Sequence, residues 1–125
     1  MPIVIGIALA GALGAVSRYE LDQFIGAHLG RAFPWSTMVI NVSGAFAIGI
    51  LFAVLSERID ASPTVRATVM TGFLGAYTTF STLTLETAQL IENGSYGLAA
   101  FNTLGSLALG MLAIFLGLEI GRVLV

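Results

Sequence analysis

The chain has 125 residues, of which 57% are hydrophobic and 10% charged, with a net charge of −2 and a mean hydropathy of +0.96. Soluble domains carry about 25% charged residues, so too little polar surface is present to cover a water-soluble globule, and the composition points to an integral membrane protein. The lack of cysteine excludes disulfides, thiol chemistry and zinc fingers, and the scattered Arg18, Arg31, Arg58, Arg66 and Arg122 form no basic cluster for nucleic acid.

Four membrane spans follow from the hydrophobic pattern. The first runs from Ile3 to Phe24 and is free of charge as far as Ser17. It opens without the positive flank of a signal peptide and reads as a transmembrane helix. The second runs from Ser36 to Ser56. Pro34-Trp35-Ser36 before it offers a stop for the preceding segment, an interfacial aromatic and an N-cap. The third covers Pro63–Ile91, with Ser62 as cap and Pro63 at the first helical position. The fourth covers Ser95–Leu124, after the turn Asn93-Gly94. The connections are short, so residues 1–125 read as one all-α domain of antiparallel transmembrane helices.

Small residues recur at helix-packing spacing: Gly6/Ala10/Gly14, Ser106/Gly110 and Gly117/Gly121. They serve packing either within one chain or between chains. Four helices make a bundle too thin to enclose a pore alone, which favours a homodimer or a larger assembly. Orientation is weakly specified. One side carries Arg58, Arg66 and Arg122, and the other carries Arg31 with Arg18 near the edge. So small a bias permits insertion in both orientations as well as in one.

The third span holds the most unusual stretch, Thr71–Glu86, TGFLGAYTTFSTLTLE. Glycines, a run of hydroxyls and a glutamate are costly in lipid unless they face protein, water or an ion. Thr79, Thr82 and Glu86 fall at i, i+3 and i+7 on one helical face. Phe80, Leu83, Thr84 and Thr87 form an adjacent face. Gly72–Ala76 before them reads as a helix break near mid-membrane, where freed backbone groups commonly hold ions. The alternative is a hydroxyl-rich helix bonded to its own backbone. Asn41 in the second span is either an interhelical clasp or an anion donor. Asn102 and Ser106 share a face of the fourth span. Arg18 either snorkels to the interface or attracts anions. His28 reads as solvated surface. No nucleophile–base pair, phosphate loop or close carboxylate pair lies within the apolar part of a span, which argues against an enzyme.

GALGAVSRY (Gly11–Tyr19), STMVINVSGAFAIG (Ser36–Gly49) and TGFLGAYTTFSTLTLE resemble the Fluc/CrcB-type fluoride channels over essentially the whole chain. The resemblance implies an antiparallel, dual-topology homodimer in the inner (plasma) membrane, with two pores along the subunit interface. It implies passive export of cytoplasmic fluoride, and hence fluoride resistance. It implies a central structural sodium ion, Na+, held by the backbone carbonyls of Gly75 and Thr78. Asn41 would donate to fluoride, Phe80 would offer its ring edge, and Thr82, Glu86 and Ser106 would lie along a polar track. Arg18 would match the family's first-helix arginine.

One departure stands out. Leu83 occupies the place of a second pore phenylalanine, and an aliphatic side chain has no electropositive edge. Thr79 and Thr84 are the nearby substitutes. Gly110 likewise stands where a hydroxyl would extend the Ser106 face. Two other readings fit four short spans. A small multidrug-type proton-coupled exporter needs a carboxylate deep in the first span, and Ile3–Ser17 has none. A non-transporting scaffold subunit needs no polar track at all.

Overall fold

A computed structural model describes residues 2–125, and every regular element among them is helical. α1 covers Pro2–Leu29. α2 covers Trp35–Arg58, its last turn widened to π geometry over Ala53–Arg58. α3 covers residues 63–77, α4 covers Phe80–Glu92 and α5 covers Tyr96–Leu124. Helices α1, α2 and α5 are long and apolar enough to cross a membrane. The third span is divided between α3 and α4.

Local chemistry explains the boundaries. Gly30, at φ 78°, ends α1 in a left-handed turn, and its N–H returns to the Gly26 carbonyl at 2.9 Å. α1 therefore runs past the expected end at Phe24. His28 lies on its last turn rather than in a loop, exposed, with Nδ1 donating to the Phe24 carbonyl at 2.8 Å. The Ser62 hydroxyl accepts from the Val65 N–H at 3.2 Å, and Pro63 occupies the first turn of α3, as expected. Gly94, at φ 79°, closes α4. The N-cap expected before α2 is absent. Pro34 caps without a side-chain bond, and the Ser36 hydroxyl turns to Asp22 instead.

The small-residue stripes pack helices within the chain. Gly117 and Gly49 bring α5 against α2, and a Cβ on Gly49 would lie 3.2 Å from the Gly117 Cα. Gly14 meets the Phe73 carbonyl, and a Cβ on Gly72 would lie 3.0 Å from the Ile7 Cα, so α1 and α3 are equally close. Gly110 is different, with nothing within 4 Å of a Cβ there. Leu9, Leu13, Leu104, Leu112 and Phe115 project from the outer faces, as lipid-facing side chains do.

The break in the third span is real, but it is not where the glycines suggest. Gly72 lies in a helical stretch of π geometry, Ala67–Leu74, and Gly75 is helical at φ −62°, ψ −36°. The chain leaves the helix at Thr78 (φ −85°, ψ 158°) and Thr79 (φ −148°, ψ 120°). Gly72 serves close packing on α1, which requires a continuous helix there. The break falls where side chains capture the backbone.

Candidate functional site

Thr79 organises the break. It is the N-cap of α4, with its Oγ1 accepting from the Thr82 N–H at 3.2 Å and donating to the Thr82 hydroxyl at 3.0 Å. Its backbone is gripped by Asn41 of α2. The Asn41 Nδ2 donates to the Thr79 carbonyl at 2.9 Å, and the Asn41 Oδ1 accepts from the Thr79 N–H at 2.7 Å. One amide thus satisfies both backbone polar groups of a half-buried residue outside the helix. The clasp reading of Asn41 describes these bonds, and its second amide hydrogen remains for another acceptor.

Two carbonyls lose their helical donors as a result. The Thr79 N–H, which would return to the Gly75 carbonyl in a continuous helix, goes to Asn41. The Thr82 N–H, which would return to the Thr78 carbonyl, goes to the Thr79 hydroxyl. Gly75 and Thr78 therefore offer backbone oxygens suited to a hard cation. The Leu74 carbonyl, by contrast, is doubly used. It accepts the Thr78 N–H and the Thr78 hydroxyl, each at 3.0 Å.

Thr79 also lines two cavities. A mainly apolar one of about 360 Å3 is walled by Asn41, Gly44, Thr78, Phe80 and Leu83. Phe80 is 79% exposed there. A polar one of about 400 Å3 is walled by Arg18, Asp22, Arg31, Thr37, Thr82 and Glu86. Thr37 donates to the Glu86 Oε1 at 2.5 Å, which fixes that carboxylate against α2. The polar cavity presents hydroxyl and guanidinium donors, and it shares Thr79 with the cavity that Asn41 lines. Such groups can replace the water of a small, tightly hydrated anion. Outside the spans, the hydrogen bond that Arg31 donates to the Asp22 carboxylate raises the Arg31 pKa above its ordinary value.

Of the residues singled out in the sequence, Asn41, Thr79, Phe80 and Leu83 meet in the first cavity, and Arg18, Thr79, Thr82 and Glu86 in the second. Thr84 points elsewhere. It is exposed, and its hydroxyl donates to the Ser81 carbonyl at 2.9 Å. Asn102 is 0% exposed and lines neither cavity; its Nδ2 donates to the Thr87 Oγ1 at 2.9 Å. Ser106 is buried one turn further along α5. The Asn102 Oδ1, the Ser106 Oγ and the Arg18 Nε are buried without a protein hydrogen-bond partner. Sequence reasoning missed Thr37 and Asp22. The signal for Asp22 was a carboxylate just beyond the apolar part of the first span, with an arginine nine residues on. Thr37 carried none, since a threonine at a span end is ordinary.

The family model described as CrcB-like protein, Camphor Resistance (CrcB), matches residues 5–118. A relative from Magnetococcus marinus, named fluoride-specific ion channel FluC, is 47% identical over 118 residues, covering 94% of this chain and 96% of its own. Its namesake from Acidobacterium capsulatum is 47% identical over 116 residues, covering 93% of each chain. Another from Roseiflexus sp. is 40% identical over 121 residues, covering 97% of this chain and 98% of its own.

Proposed function

The chain belongs to the CrcB-like family, and from that premise we propose that it is a fluoride-selective ion channel that lets fluoride leave the cytoplasm passively. The observation that carries the reading is the junction at Thr79, which lines both a polar cavity with cationic and hydroxyl donors and a mainly apolar cavity that holds Phe80 and the Asn41 amide. Anion export driven by membrane potential needs no nucleotide site and no titratable carboxylate deep in α1. The first carboxylates on α1 are Glu20 and Asp22, in its last third.

The aromatic cavity lacks a wall in a single chain, since Phe80 is 79% exposed on it. A second copy of the chain supplies that wall. The proposed assembly is an antiparallel homodimer in the plasma membrane with two pores along its interface. The weak arginine asymmetry between the two sides supports dual insertion. In each pore Asn41 donates to fluoride, Phe80 offers its electropositive ring edge, and Thr79, Thr82, Glu86 and Arg18 line the polar approach. Asn102 and Ser106, buried within the chain and lining neither cavity, stand behind this track. Leu83 gives shape without a positive edge.

A sodium ion at the dimer centre fits the Gly75 and Thr78 carbonyls, whose N–H donors are diverted. Such an ion would supply positive charge and hold the break. The chain's own part is to keep those oxygens turned away from helical bonding.

The test is fluoride efflux from protein-containing liposomes, followed with an electrode, with chloride as the competing anion. Fluoride release well above that of empty liposomes, with chloride retained, is expected. Release no faster than the empty control from folded protein refutes the reading.

A further inference from the structure

The polar cavity carries two arginines and two carboxylates, Arg18 and Arg31 against Asp22 and Glu86. Their formal charges cancel, which is unusual for a surface that must admit an anion. The four groups are not equivalent. Arg18 forms no ion pair among the described residues, whereas Arg31 is bound to Asp22. The Arg31 Nη1 donates to the Asp22 Oδ1 at 2.9 Å, and its Nη2 donates to the Asp22 carbonyl at 3.2 Å. The guanidinium is seated on Gly26, where a Cβ would lie 2.6 Å from the Arg31 Nε. The Ser36 hydroxyl donates to the same Asp22 oxygen at 2.5 Å. Arg31 and Glu86 also line a neighbouring cavity of about 110 Å3. The Arg31 side chain is 53% exposed and that of Asp22 28% exposed, within reach of water and salt.

Resting on the anion-channel reading above, we propose that Asp22 and Arg31 form a charge-cancelling pair that sets how readily fluoride is admitted to the polar cavity. Asp22 masks the Arg31 charge that an incoming anion would otherwise meet. Removing either member shifts the mouth by one unit, in opposite directions. At low ionic strength one charge within about 10 Å of the path changes the local anion concentration about three- to fivefold, and about 1 M salt abolishes the effect.

Asp22→Asn tests the masking without dismantling the geometry, because its Oδ1 still accepts from Ser36 and Arg31. The assay is fluoride efflux at subsaturating fluoride, in dilute buffer and again in about 1 M potassium gluconate. Asp22→Asn is expected to run about three- to fivefold faster than wild type in dilute buffer, and Arg31→Gln slower by a similar factor. The double variant returns close to wild type, and all converge at high salt. Arg31→Lys, which keeps the charge but loses the two-pronged grip, stays near wild type. A clasp that merely holds the fold predicts the opposite pattern. Both single variants and Arg31→Lys would lose flux at every salt concentration, and that result overturns the proposal. So does unchanged flux in Asp22→Asn. Wild-type liposomes that release no fluoride overturn the channel reading and this inference together, whereas wild-type flux with salt-independent variants overturns the inference alone.

Discussion

Asn41→Ala is the most informative single perturbation, because one side chain holds both polar groups of the Thr79 peptide. Hydrogen bonds between transmembrane helices average about 0.6 kcal/mol, which puts the two bonds near 1.2 kcal/mol at the low end. Truncation also leaves a donor and an acceptor unpaired, at about 1–3 kcal/mol each where they are buried. Asn41 and Thr79 are half-buried beside cavities, so water recovers part of that cost and about 2 kcal/mol is expected in total. For a domain of this size that corresponds to a fall in melting temperature of roughly 6–12 °C. The assay is thermal unfolding in detergent, with fluoride efflux measured on the same preparation. Thr84→Val is the control, since its hydroxyl is exposed and bonds only to the Ser81 carbonyl. Asn41→Asp refines the experiment. It keeps an acceptor for the Thr79 N–H but sets a second oxygen against the Thr79 carbonyl, so its flux falls at least as far as that of Asn41→Ala. An Asn41→Ala protein that melts within about 2 °C of wild type and conducts normally would refute the claim that this amide builds the break.

Phe80→Ala should lower fluoride flux at least about tenfold with little effect on the fold of the single chain, because Phe80 is 79% exposed there; efflux and elution volume check flux and assembly separately. Leu83→Phe should raise the flux or leave it unchanged, and a steep fall would show a pore built differently around this leucine. Replacing sodium with a large organic cation should lower the wild-type melting temperature, and Thr78→Val should keep that sensitivity because it leaves the carbonyl in place. Gly75→Val should keep it as well, since Gly75 is helical and a Cβ there meets only the Met70 carbonyl at 3.7 Å. Gly117→Leu should destabilise the protein by about 3 kcal/mol, read as a lower melting temperature, because its Cβ would overlap the Phe46 carbonyl of α2.

The helical spans were legible because hydrophobic runs and their punctuation are local. Ser62-Pro63 and Asn93-Gly94 mark helix ends by chemistry that acts within four residues. The faces of the third span were legible for the same reason. Thr79, Thr82 and Glu86 do share the polar cavity, although an N-cap rather than continuous helix places the first of them. What local pattern could not reveal was pairing across helices. The Thr37–Glu86 bond joins residues 49 apart in the chain, and the Asn102–Thr87 bond joins the fourth span to the third. A threonine or asparagine reads the same whether it lines water or clasps a neighbour. The shift of the break from Gly72–Ala76 to Thr78–Thr79 has this origin too, since glycine in a membrane helix marks close packing as readily as a bend.

The break itself shows how a membrane helix is interrupted without proline. A hydrocarbon environment strongly favours continuous helical bonding, because no water is at hand to satisfy a freed peptide. Thr78 and Thr79 overcome this because two of the diverted donors find side-chain oxygens. The Thr79 N–H finds Asn41, and the Thr82 N–H finds the Thr79 hydroxyl. Removing one acceptor restores an argument for the straight helix, whereas removing a glycine upstream does not. The same exchange puts the break and the proposed site of transport at one residue. Substituting side-chain oxygens for backbone oxygens is what frees the Gly75 and Thr78 carbonyls for a cation. It also anchors the Asn41 amide beside the proposed path of the anion. The polar groups that look expensive in TGFLGAYTTFSTLTLE are thus of two kinds. Thr79 and its partner Asn41 make the break, while Thr82 and Glu86 use the opening it leaves.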